Sequence, residues 1–152
     1  MMNTKHRNVA LAKNRGLAAV EMLIAIPVLL TILMAITEFG NAFVQYNTLN
    51  KMAQNGVRHA TADILGTGSV NPCNNATTVS QTRNVVLYGK RTPGTSDLIM
   101  DGVTAEDVSI TCANKYITIT INHVYSPLID SFASDISFDV PLIASAVMRT
   151  EP

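Results

Sequence analysis

From Leu17 to Ile36 the chain reads LAAVEMLIAIPVLLTILMAI, twenty residues in which Glu21 is the one charge and Pro27 and Thr31 the other interruptions. As a helix this stretch rises about 30 Å, the thickness of a bilayer's hydrocarbon core. Charged residues make up only 14% of the chain, against roughly 25% in soluble domains, so part of it is not built for water. Lys5, Arg7, Lys13 and Arg15 precede the run and no acidic residue accompanies them. That asymmetry orients a spanning helix with its amino terminus in the cytoplasm and the rest outside. Beyond residue 16 the remaining seven basic residues face eleven acidic ones, a balance that does not neutralise phosphates and argues against nucleic-acid binding.

An ordinary secretory signal has an apolar core of about 7 to 15 residues followed by a small-residue cleavage site. Here the run is longer, and Gly40 and Ala42 form only a weak small-x-small site after it. The junction KNRGLAAVE is more informative. If the chain is cut between Gly16 and Leu17, Glu21 becomes the fifth residue, and a new ammonium stands one turn from its carboxylate on the same helix face. A carboxylate near a helix amino terminus is favoured by the dipole. In the membrane it costs up to about 3 kcal/mol, and the new amine of the same chain, or that of a neighbouring helix, would offset this.

The segment RGLAAVEMLIAIPVLLTILMAITEFGNAF resembles the amino terminus of TadE-like proteins, pseudopilins of the tight-adherence (Flp, type IVc pilus) system. The likeness is carried by Arg15-Gly16, Glu21, Pro27, Glu38-Phe39-Gly40 and Phe43. It continues along NTLNKMAQNGVRHAT and returns at SFDVPLIASAVMRTEP, with the middle covered weakly. The resemblance implies cleavage after Gly16 by a prepilin peptidase and a minor role in pilus or secretion-apparatus assembly. It further implies an inner-membrane position and other pilin or pseudopilin subunits as partners through the helix. It does not separate this chain from the equally short sister pseudopilin.

Past the apolar run, Phe39, Phe43, Tyr46, Leu49, Met52, Ala53, Val57, Ala60 and Ile64 recur every three to four residues, the spacing of an amphipathic helix. The expected organisation is a leader at 1–16, a membrane helix at 17–37, its amphipathic continuation at 38–65, and an extracytoplasmic head at 66–152. Gly66 and Gly68 are expected to end the helix, and Pro27 to kink it near Leu23. Residues 66–78 read as a loop, and VSQTRNVVLYGK as a short helix capped by Ser80, stopped by Gly89, and burying Val79, Val86 and Leu87. Asn75-Ala76-Thr77 matches a glycosylation sequon, read as chance. DVSITC, KYITITINHVY and SFDVPLIASAVMR read as three strands. In the second, Ile117, Ile119, Ile121 and His123 share a face, with Thr118, Thr120 and Asn122 opposite. The fold class is therefore α+β: a long amino-terminal helix against a small antiparallel sheet, pilin-like. Cys73 and Cys112 are either a disulfide tying the loop to the first strand, worth about 4 kcal/mol, or two buried thiols.

Catalytic chemistry has no foothold. His6, His59 and His123 are scattered without metal-ligand spacing, and there is no GxSxG, phosphate-cradling glycine loop or HExxH. Asp97, Asp101, Glu106 and Asp107 match no EF-hand loop and read as solvated. The expectation is a protein with no cofactor, no metal, no small-molecule substrate and no enzymatic activity. Two rival readings stand beside it. One is an uncleaved bitopic envelope protein whose head binds a ligand or partner. The other is a secreted enzyme cut near Ala42 and released from the membrane.

Overall fold

The computed structural model describes residues 5–67, 72–92, 97–127 and 139–150. Helix α1 spans Lys5–Thr67, and a 3₁₀ turn at Pro72–Asn74 leads into helix α2, Ala76–Tyr88. Strands β1 (Val108–Ala113), β2 (Tyr116–Tyr125) and β3 (Val140–Arg149) follow. The chain divides into two compact units, Met1–Gly40 and Asn41–Pro152.

In the second unit the strands form an antiparallel sheet in the order β1-β2-β3, so the α+β reading holds. Ile117, Ile119 and Ile121 are fully buried, while Asn122 is exposed. In the register with β3, Ile119 faces Ala146 and Ile121 faces Ala144. A small residue of β3 beside Ile119 and Ile121, though not beside Ile117, which faces Met148, leaves space for side chains arriving from above. Those come from α1, whose Leu49, Met52, Ala53, Val57 and Ala60 join the isoleucines in one core with Val86, Leu87, Val103 and Val108.

The buried face of α1 starts later than its spacing predicts. Phe39, Phe43 and Tyr46 are 79%, 61% and 40% exposed, and burial sets in only at Leu49. At about 100° per residue, Leu49, Met52 and Gly56 sit roughly a third of a turn around the helix from the three aromatics, so the two sets are different stripes. At the centre of the buried stripe lies Gly56. A Cβ there would collide with Cγ2 of Val86 and stand 2.8 Å from Cδ1 of Ile119, so only glycine lets α1 approach α2 and β2 this closely.

Three sequence expectations are corrected here. First, α1 continues through Gly66 to Thr67 rather than ending at Leu65; Gly68 lies outside the described residues. Second, 66–78 is not one loop, because it holds the 3₁₀ turn and the first turn of α2. Third, the cap of α2 is Asn75, not Ser80. The Asn75 side chain accepts from the amides of Thr77 (3.0 Å) and Thr78 (3.5 Å), and Ser80 donates to the carbonyl of Thr77 inside the helix. Asparagine is among the strongest N-caps because its carbonyl oxygen satisfies amides that lack helix partners. That role accounts for the asparagine of the supposed sequon. Starting earlier places Thr78, Thr82 and Val86 on the buried line and leaves Val79 half-buried.

Gly89 ends α2 as expected, with φ of 70° and its N–H on the carbonyl of Val85 at 3.0 Å, a left-handed geometry that glycine adopts without steric cost. The chain then returns, and the N–H of Ile99 donates to the carbonyl of Leu87. Between β1 and β2, Asn114 and Lys115 both have positive φ (51° and 66°), the requirement of a tight two-residue hairpin. Lysine is a poor choice for it. The turn is held by Thr150, whose N–H and Oγ1 both donate to the carbonyl of Lys115, at 2.8 and 3.0 Å. Cys73 and Cys112 are joined in a disulfide, Cα–Cα 6.0 Å, which ties the 3₁₀ turn to β1 and settles the choice between bridge and free thiols.

Candidate membrane and assembly helix

Between Gly16 and Ile64, α1 is long and apolar enough to cross a membrane, and its most apolar stretch is wholly exposed. Leu17, Leu23, Ile24, Leu29 and Leu33 all present most of their surface outward. In water such a surface is strongly unfavourable, at about 25 cal/mol per Å² of apolar area. Lipid removes that penalty.

Glu21 lies one turn beyond Leu17 on this helix, and both are exposed. Pro27 sits inside α1, which is assigned as helix on both sides of it. Proline has no N–H for the carbonyl of Leu23, while its own carbonyl accepts from Oγ1 of Thr31 at 2.8 Å. Thr37 and Thr48 do likewise to Leu33 and Val44, at 2.9 Å each. Further along come Glu38, half-buried, and the exposed Phe39 and Gly40. A Cβ at Gly16 or Gly40 would meet nothing within 4 Å. Unlike Gly56, neither glycine is demanded by packing within the chain.

Residues 16–58 match the TadE-like protein family. The match is consistent with a TadE-like protein of the tight-adherence system. No curated protein and no solved structure gives a significant match. The TadE-like segment covers the exposed apolar part of α1 and then the start of the buried stripe, ending two residues after Gly56. It therefore takes in Gly16, Leu17, Glu21, Pro27 and Glu38-Phe39-Gly40 on one helix, and it excludes the cysteines, α2 and the sheet.

Downstream of the TadE-like segment, the sequence did not reveal a polar seam between the two helices. Oγ1 of Thr78 donates to Oδ2 of Asp63 at 2.7 Å, and Nδ1 of His59 lies 3.4 Å from Oγ1 of Thr82. The threonines expose no polarity themselves, and only the pairing of helices makes them visible. The acidic residues near 100 act as local fasteners. Asp107 accepts from the N–H and hydroxyl of Thr104, at 2.7 and 2.9 Å, and Asp97 pairs with Lys90 at 2.7 Å on the surface. Among the described residues no three metal-ligating side chains converge.

Burial lowers the pKa of His59 below the ordinary 6.5, Arg91 lowers it further, and Asp63 opposes them in part. The unfolded chain therefore takes up a proton near pH 6.5 that the folded chain resists, so stability is complete above that pH and falls as the solution is acidified through it. Urea midpoints of the detergent-solubilised protein at pH 7.5 and 5.5 are expected to drop more for the native chain than for His59→Gln. Equal drops would remove His59 as the cause.

Proposed function

We propose that this chain is a minor pseudopilin of a tight-adherence (type IVc) pilus or its secretion apparatus, with no enzymatic activity. It is anchored in the bacterial inner membrane with its head outside. The observation that carries the reading is the coincidence of the TadE-like match with an exposed, membrane-length helix whose early turn bears one carboxylate, Glu21. A prepilin peptidase cuts between Gly16 and Leu17 and removes the basic leader. The new amine and Glu21 then govern how the helix enters an assembly of pilin-type helices, since a carboxylate in lipid needs a cationic partner.

The scissile bond lies inside α1, so cleavage requires local unwinding, and Gly16 lowers that cost by about 1 kcal/mol relative to alanine. Amino-terminal sequencing of the protein from its native host tests the reading. A start at Leu17 supports it, and a start at Met1 or Met2 with the peptidase present favours the uncleaved bitopic alternative. Glu21→Ala is expected to leave membrane insertion unchanged and to lower pilus yield at least about tenfold, the effect of losing roughly 1.4 kcal/mol of pairing. Unchanged yield would remove Glu21 from assembly.

A further inference from the structure

Helix α2 is stitched to α1 by two polar rungs. Oγ1 of Thr78 donates to Oδ2 of Asp63 at 2.7 Å, and Nδ1 of His59 lies 3.4 Å from Oγ1 of Thr82. Four residues forward on α1 are four residues back on α2, about one turn in each case, so the helices run antiparallel along this seam. The same line continues to Gly56, where a side chain would collide with Val86. Thr78, Thr82 and Val86 are all buried.

The two rungs respond differently to acid. Nδ1 of His59 has Thr82 beside it, but Nε2 is buried with no hydrogen-bond partner among the described residues. A neutral imidazole tolerates this, because one of its nitrogens carries no proton. In the imidazolium both nitrogens are donors, and a buried charged N–H without an acceptor is strongly disfavoured. Two charged groups bear on the ring: Asp63, one turn along α1, offsets part of the cost, and Arg91, just beyond α2, adds to it. From α2 itself the ring meets Thr82, which is uncharged. Water at Nε2 removes the penalty, and α2 must move aside to admit it.

Tethers at both ends limit that movement. The disulfide between Cys73 and Cys112 holds the turn before α2 to β1. At the other end the N–H of Ile99 donates to the carbonyl of Leu87, and Lys90 pairs with Asp97. The sheet keeps its own ladder from β1 through β2 to β3. We infer that α2 is an acid-released strap: a proton on His59 undocks α2 from α1 between its two tethers while the sheet stays paired. This goes beyond the pilus reading and uses only contacts inside the second unit. For a head outside the cytoplasm, the trigger is the pH of the surroundings.

Hydrogen exchange of the full-length protein in detergent at pH 7.5 and 5.5, with rates corrected for intrinsic pH dependence, tests this. At pH 5.5 a released ring with the ordinary value of 6.5 is about ten parts protonated to one neutral, so the α2 amides are expected to exchange about tenfold faster. The amides of β2 and β3 keep their rates, and His59→Gln loses the acid response of α2. Unchanged α2 rates, equal acceleration in α2 and the sheet, or the same acceleration in His59→Gln would overturn the inference. So would an NMR titration in which the folded His59 ring protonates at the same pH as in the urea-unfolded chain. None of these results bears on cleavage at Gly16 or on Glu21, so the strap and the pilus reading fail separately.

Discussion

Gly56→Val is expected to unfold the second unit while leaving the exposed apolar stretch of α1 helical in detergent. A Cβ at this position already meets Cγ2 of Val86 and comes within 2.8 Å of Cδ1 of Ile119. The isoleucine methyl is the end of a flexible chain and can swing aside. The Val86 methyl belongs to a β-branched side chain stiff at χ1, so α1 and α2 must separate. Overpacking costs of about 1 to 3 kcal/mol per added group are usual, and valine adds three carbons at the centre of a core whose neighbours are fully buried. A loss of about 4 kcal/mol or more is a large fraction of a small domain's stability. Limited proteolysis in detergent should show the region from Leu49 onward cleaved rapidly, with the apolar part of α1 protected. Native-like resistance in Gly56→Val would mean that α1 does not approach the sheet as described.

The second large effect concerns the bridge between Cys73 and Cys112. It closes a loop of 39 residues, and the chain-entropy estimate for such a loop is about 4 kcal/mol. Its position concentrates the loss on α2. A helix of 13 residues is marginal alone, and the disulfide fastens the turn just before its cap to β1. In Cys73→Ser/Cys112→Ser the amides of α2 are expected to exchange hydrogen at least a hundredfold faster, with β2 and β3 less affected. Uniform exchange across α2 and the sheet would show that the bridge stabilises the head as a whole and not this helix in particular.

How much of this was legible beforehand depended on whether a residue's role was local. The isoleucines of β2 declare themselves by alternation, since a two-residue period is a property of one strand. The apolar run from Leu17 and the stop at Gly89 are local for the same reason. Asn75 was misassigned because a cap and a loop asparagine look alike until the following helix is known to start at Ala76. Phe39, Phe43 and Tyr46 were placed on the buried stripe because spacing tells that residues share a face, not what that face meets. Thr78, Thr82 and Gly56 were invisible for a related reason. Each matters only through a second element, Asp63 and His59 for the threonines, Val86 and Ile119 for the glycine, and no period records that. In the TadE-like segment, residue types at Gly16, Glu21 and Glu38-Phe39-Gly40 carried the resemblance, while the geometry adds that Gly16 and Gly40 are unconstrained from within.

The threonines of α1 bear on how a neighbour perceives the greasy column. Thr31 and Thr37 hand their only hydroxyl proton to carbonyls one turn back, so each shows its surroundings chiefly a methyl. Between Leu17 and Ile36 that leaves Glu21 as the one charged side chain, while Thr31 can still accept but no longer donate. A cationic group sliding along this stretch has one full charge at which to stop, and axial alignment between helices can be set by it.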